Sequence, residues 1–302
     1  MTYSKLTKEL SSDKSKKKPA ELELEKKISS ISPEQDRLNL NCISFCSIPL
    51  EAIAQIFKRI PPNIKTVTIN RANLDRLEAS SSTTLLALLP ETVKCLELRG
   101  NYDFMKHGNN YCQLPTLPKQ LESLDLSLNF FNLSSIELCT AMFRSLELRE
   151  LGFKSNGLGT AGIAALKDFI KVLPRTLEIL NLSHNNIDID HFTKEEVLDC
   201  FAELPPTLKQ LNLSSNGIID LLDANMAQIL PPTLETLNLC ESHWILRQGD
   251  PGSLFVDTKN IKGLQEFADA LPLSTKLIHN MKINIPRQEQ YYTETSSSNY
   301  IT

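Results

Sequence analysis

The residue types best suited to catalysis are scattered along this chain and form no set. Five histidines (His107, His184, His191, His243 and His279) can move protons near neutral pH, yet none stands at a motif spacing from a nucleophile or carboxylate. Ser183 and His184 are chain neighbours at the end of a predicted strand, where alternation sends adjacent side chains to opposite faces. Gly157-Leu158-Gly159-Thr160-Ala161-Gly162 has the letters of G-x-G-x-x-G but lacks the βαβ setting in which such a loop cradles phosphates. Its glycines are expected to make a strand-to-helix turn. Seven cysteines (Cys42, Cys46, Cys95, Cys112, Cys139, Cys200 and Cys240) are odd in number and widely spaced, with no C-x-x-C pair. They read as reduced thiols in a cytosol-like compartment. The sequence therefore offers no catalytic set, no metal site and no cofactor, and catalysis is not expected.

What recurs instead is leucine. There are 49 in 302 residues, against 10 glycines. The segments Val93-Lys94-Cys95-Leu96-Glu97-Leu98, Leu121-Glu122-Ser123-Leu124-Asp125-Leu126, Leu177-Glu178-Ile179-Leu180-Asn181-Leu182 and Leu208-Lys209-Gln210-Leu211-Asn212-Leu213 share the form L-x-x-L-x-L. Ile64 to Ile69, Leu148 to Phe153 and Leu234 to Leu239 fit the same form, and Leu38-Asn39-Leu40 is a weaker copy. Val67, Leu96, Leu124, Leu151, Leu180, Leu211 and Leu237 follow one another at intervals of 29, 28, 27, 29, 31 and 26 residues. A fixed period of this length marks a repeat array. Each L-x-L is a short strand with its leucines turned inward. An asparagine three residues further on (Asn101, Asn129, Asn156, Asn185, Asn216) carries both a donor and an acceptor for buried backbone at the turn.

Helical patterning fills the intervals. Ile163, Leu166, Ile170 and Leu173 fall on one face of Thr160 to Leu173, and Thr193 with Glu196 has the spacing of a capping box. Pro90, Pro118, Pro174, Pro205-Pro206 and Pro231-Pro232 stop these segments. The expected fold is α/β: a solenoid, or horseshoe, with parallel strands on its concave face and helices on its convex face. One coil cannot bury enough apolar surface to order itself, so the array is the folding unit.

The expected division is a polar tail or capping helix over 1–32, the repeat domain over 33–285, and a disordered tail over 286–302. The basic run Lys14-Ser15-Lys16-Lys17-Lys18 is read as a solvated tail, with nuclear import as the alternative. Glu241 to Asp257 is expected to bulge as a loop with Trp244 facing the core, followed by a helix at Ile261–Leu271 and a degenerate closing strand at Leu277–Ile285. A net charge of −4 argues against an electrostatically driven nucleic-acid binder. No apolar run is long enough to span a bilayer, and the polar, Lys-rich start has no Sec-type signal.

Residues between paired core leucines face outward and form the ladder Thr68, Glu97, Asp125, Gly152, Asn181, Asn212, Asn238. The next outward column is Asn70, Arg99, Ser127, Lys154, Ser183, Ser214, Cys240. Glu97, Arg99, Asp125 and Lys154 present charges of both signs, while Asn181, Asn212 and Asn238 present amides, and these seven are the expected partner-binding residues. The alternative is an ordinary soluble strand face.

Across residues 33 to 285 the chain resembles ribonuclease-inhibitor-like leucine-rich repeat proteins. The form L-P-x-x-L-x-x-L-x-L-S-x-N (Leu117 to Asn129, Leu173 to Asn185, Leu204 to Asn216) is similar to the repeats of Dot/Icm-translocated effectors of intracellular bacteria. Such effectors carry a polar, glutamate-containing C-terminal signal, and Gln288 to Ser296 is similar to it. The resemblance implies a virulence-associated effector that binds a host protein in the host cytoplasm, delivered by type IV secretion. Leu114-Pro115-Thr116-Leu117-Pro118 resembles the repeats of bacterial ubiquitin-ligase effectors, but no cysteine here has the C-x-D setting of their catalytic module. Ile48 to Phe57 resembles the start of an F-box, which implies a ubiquitin-ligase adaptor built on 48–60. The simpler reading of that helix is a convex segment between two strands.

Overall fold

The computed structural model describes residues 17–77, 84–101, 117–130, 142–143, 146–188, 190–240 and 261–278. Trp244 with its loop, the 286–302 tail, Lys14 to Lys16, and the part of Leu277–Ile285 beyond Ile278 lie outside them. Each coil contributes one three-residue strand: β1 (Arg37–Asn39), β2 (Thr66–Thr68), β3 (Cys95–Glu97), β4 (Ser123–Asp125), β5 (Glu150–Gly152), β6 (Ile179–Asn181), β7 (Gln210–Asn212), β8 (Thr236–Asn238) and β9 (Lys276–Ile278). They form one sheet in chain order, every pair parallel. The central residues Leu38, Val67, Leu96, Leu124, Leu151, Leu180, Leu211, Leu237 and Leu277 share one register, and none is more than 4% exposed. The weak copy at Leu38 is thus a full member of the sheet.

Helices cover the leucine side: α1 (Pro19–Ser29), α2 (Leu50–Phe57), α3 (Ile163–Val172), α4 (Lys194–Phe201), α5 (Ala224–Ile229) and α6 (Ile261–Ala270). Leu24 and Ile28 of α1 are buried at the start of the core. Ile53, Ile56 and Phe57 of α2 are buried too, with the Phe57 ring edge-on to Phe45 at 6.1 Å. This apolar face is spent on the core between β1 and β2. The helix expected from Thr160 starts three residues later, because Gly162 at φ 90° breaks it from a 3-10 turn at Gly159–Ala161. The G-x-G-x-x-G letters therefore do make a turn.

Two side-chain ladders stitch the coils. Asn101, Asn129, Asn156, Asn185 and Asn216 are each at most 2% exposed. The Oδ1 of each accepts the backbone N–H of the station before it, from Ala72 to Asn185, at 2.7 to 3.0 Å. The Nδ2 donates to carbonyls of its own and the preceding coil, as Asn129 does to Leu126 and Leu98. The residue before each ladder station (Arg71, Gly100, Leu128, Ser155, His184, Ser215) is left-handed at φ 51 to 64°. Most are not glycine, so the asparagine bonds hold a turn that L-residues enter at a cost of about 1–2 kcal/mol.

The second ladder lies at the other end of the strands and was not foreseen. Thr92, Thr176, Thr207 and Thr233 donate their hydroxyls to Ile64, Leu148, Leu177 and Leu208 carbonyls of the preceding coil, at 2.8 to 3.1 Å. Asn63 reaches the Gln35 carbonyl from the equivalent place.

Helix α4 carries the expected capping box, with Thr193 Oγ1 accepting the Glu196 N–H at 3.3 Å and Glu196 Oε2 accepting the Thr193 N–H at 2.9 Å. Asp223 caps α5, accepting the Met226 N–H at 3.0 Å and a hydrogen bond from Lys194. Burial raises the Asp223 pKa, but Lys194 and the Met226 N–H outweigh it and hold the carboxyl below its usual 3.8. A depressed pKa contributes stability above the unfolded value and loses it as pH falls through the folded one. Asp223→Asn is expected to keep the cap yet lack this acid-side loss below about pH 4. Asp223→Ala should cost about 1 kcal/mol at pH 7. Denaturant titrations of both variants at several pH values check this.

Candidate functional site

The face of the sheet opposite the helices carries every outward strand residue. Glu97, Arg99 and Asp125 come together on β3, β4 and the turn after β3. Arg99 Nε lies 2.7 Å from Asp125 Oδ2, and its guanidinium is 3.7 Å from Glu97 Oε2. Asn70 Nδ2 donates to Glu97 at 3.1 Å. The charges expected to greet a partner are thus largely satisfied by one another. Asp125 reaches across Gly152, where an added Cβ would sit 2.5 Å from the Asp125 Cγ. Lys154 is exposed and pairs with no carboxylate among the described residues.

Asn181, Asn212 and Asn238 stand in register on β6, β7 and β8. Each Oδ1 accepts the N–H two residues on, from Ser183, Ser214 and Cys240, at 3.0 Å. The second outward column differs from expectation. Ser127 and Ser183 are 5% and 2% exposed, with Ser183 Oγ donating to Asn181 Oδ1 and Ser127 Oγ accepting the Lys154 N–H. The chain is already entering its left-handed turn there, so strand alternation no longer places the side chain.

No set for catalysis assembles among the described residues. Burial and Lys154 lower the His184 pKa. Burial pushes the Cys200 thiol up to about 11, which leaves it a poor nucleophile. The five described cysteines are free thiols. No group of three or more potential metal ligands occurs among the described residues. None of their helices is long and apolar enough to cross a membrane.

Just before the strands runs a column that sequence reasoning passed over: Lys94, Glu122, Arg149, Glu178, Lys209, Glu235. Lys94 meets Glu122 at 2.6 Å, and Glu178 accepts from both Arg149 at 2.8 Å and Lys209 at 2.7 Å. The Lys94 hydrogen bond lowers the Glu122 pKa, and the Lys209 hydrogen bond lowers that of Glu178 and raises that of Lys209. An open hollow on this edge is lined by Arg149, Glu178 and Lys209 with Thr176, Thr207 and Thr233, among others. Its charges already face one another.

A one-register parallel sheet of three-residue strands, stitched by buried asparagines and backed by helices, defines an α/β leucine-rich-repeat solenoid. A family model described as Leucine Rich repeat matches residues 174–188 and 205–220. The leucine-rich repeat-containing protein LegL7 from Legionella pneumophila shares the fold, with a TM-score of 0.63 and 22% identity over 85% of this chain and 78% of that one. Matches also extend to a TLR13–ssRNA13 complex (TM-score 0.39, 15% identity, 70% of this chain and 31% of that chain). The tropomodulin C-terminal domain of Caenorhabditis elegans matches at TM-score 0.27 and 12% identity, over 60% and 93%. No curated protein sequence matches the chain.

Proposed function

We propose that this protein is a non-enzymatic interaction module, a translocated bacterial effector that binds a host protein through the concave face of its repeat sheet. The observation that carries the reading is the sheet face itself: adjacent strands present polar, part-exposed side chains in fixed rows. Solenoids use extended concave surfaces of this kind for binding. The fold neighbour from Legionella pneumophila supports a bacterial origin for the type, and the L-P-x-x-L-x-x-L-x-L-S-x-N repeats support delivery into a host cell by type IV secretion. In this reading α1 caps the array within a 1–32 segment, residues 33–285 bind, and 286–302 carry the secretion signal.

The test is pull-down from host-cell lysate with wild type and with Glu97→Arg, Arg99→Glu, Asp125→Arg and Lys154→Glu combined. Because three of the reversed charges face one another, opposite signs still meet while the pattern shown to a partner is inverted, and a melting curve checks that the variant stays folded without the Asp125 bond to the Ser127 N–H. Loss of the captured partner is the expected result, and an unchanged partner rejects this surface. A translocation reporter fused to the full chain should enter host cells and one lacking 286–302 should not.

A further inference from the structure

Among the described residues the late half of the sheet face offers hydrogen-bond donors without acceptors to match, and the inference drawn from it rests on the concave-face reading above. A backbone N–H can only donate, so the bonds from Ser183, Ser214 and Cys240 fix each partner atom as Oδ1 of Asn181, Asn212 and Asn238. The Nδ2 groups are therefore the outward atoms. None of the three has an acceptor among the described residues. Asp125, two strands before Asn181 in the same row, makes the same bond to the Ser127 N–H at 2.8 Å, but its outward atom is an oxygen and Arg99 already occupies it. The row thus changes character along the array, from paired charges to amide donors with no acceptor among the described residues, and Lys154, which pairs with no carboxylate among those residues, lies between them. Three strands span about 10 Å, the length of about three extended residues.

We propose that this row, together with Lys154, receives an extended acidic segment of a protein partner, its carboxylates accepting from the amides and pairing with the lysine. A phosphate polymer is the weaker fit, since its binding needs a row of cations and the row here is of neutral amides.

The experiment is fluorescence anisotropy on the full-length protein with a labelled Glu-rich peptide, its Gln-for-Glu counterpart and a single-stranded oligonucleotide. The Glu peptide should bind about tenfold tighter than the Gln peptide, as charge-assisted bonds require. Asn212→Asp keeps the shape and the Ser214 bond, as Asp125 shows, but turns a donor into an acceptor. It should weaken the Glu peptide about tenfold with its melting temperature unchanged, and Lys154→Gln should weaken it similarly. Equal binding of the two peptides, preference for the oligonucleotide, or an unaffected Asn212→Asp variant overturns the proposal. These outcomes are separable from failure of the broader reading. A host partner lost on charge reversal but bound equally well by Asn212→Asp leaves the concave face in place and removes the acidic segment alone.

Discussion

Asn185→Ala is expected to destabilise the protein by about 3–5 kcal/mol, because buried backbone groups of neighbouring coils lose hydrogen bonds and truncation also opens a gap. The Asn185 Nδ2 donates to the Phe153 and Leu182 carbonyls at 2.8 and 3.0 Å, and its Oδ1 accepts the Asn156 N–H at 3.0 Å. The side chain is fully buried, so water cannot replace these bonds without opening the turn. Phe153 belongs to the preceding coil, so the damage crosses a coil boundary. In a linear array, local failure splits cooperativity rather than merely lowering the midpoint. Denaturant melts followed at two probes, one in each half, should separate for the variant and coincide for wild type. A cost below about 1 kcal/mol would mean the ladder is not what holds the turns.

Gly159→Ala ranks second, at about 2–3 kcal/mol, through overpacking. A Cβ at Gly159 would lie 1.8 Å from the Asn186 carbonyl oxygen and 2.4 Å from its carbon. The obstacle is backbone, which cannot rotate aside as a side chain can. Gly159 sits so close because its N–H donates to the Asn185 carbonyl at 2.7 Å, which draws the two coils together. The variant must therefore push away the turn that Asn185 organises. The double variant should cost less than the sum of the singles, since both loosen the same junction. A double-mutant cycle by chemical denaturation measures the difference, and additive costs would show the two sites to be independent.

Much of the architecture could be read from letters because the solenoid repeats its chemistry at fixed intervals. The leucine register, the asparagine stations and the Thr193 capping box needed only spacing and residue type. The chain-order sheet follows because each coil is too short to pair anywhere but beside its neighbours. What spacing could not supply was the direction of side chains beyond the strand. Ser127 and Ser183 leave the outward row because the left-handed residues after them turn the chain, which alternation does not encode. Nor could it tell that Arg99 would spend its charge on Asp125 and Glu97, since that depends on which oxygens face it across the coil. The threonine ladder left a trace in the recurring threonine before the strand. It went unread because threonine is also a common strand residue, and only the carbonyl it meets distinguishes the roles.

The alternating column from Lys94 to Glu235 carries a consequence for how such an array can lengthen or shrink. Neighbours along it are opposite in sign, so the series has parity. Excising the coil of Arg149 alone would set Glu122 against Glu178, whereas excising two consecutive coils would leave plus facing minus throughout. Each exposed pair is worth little, because solvent and salt screen it. Repeated along one edge, the preference nonetheless favours growth by even steps, and it penalises a molecule in which a turn of the spiral has been skipped or threaded out of order.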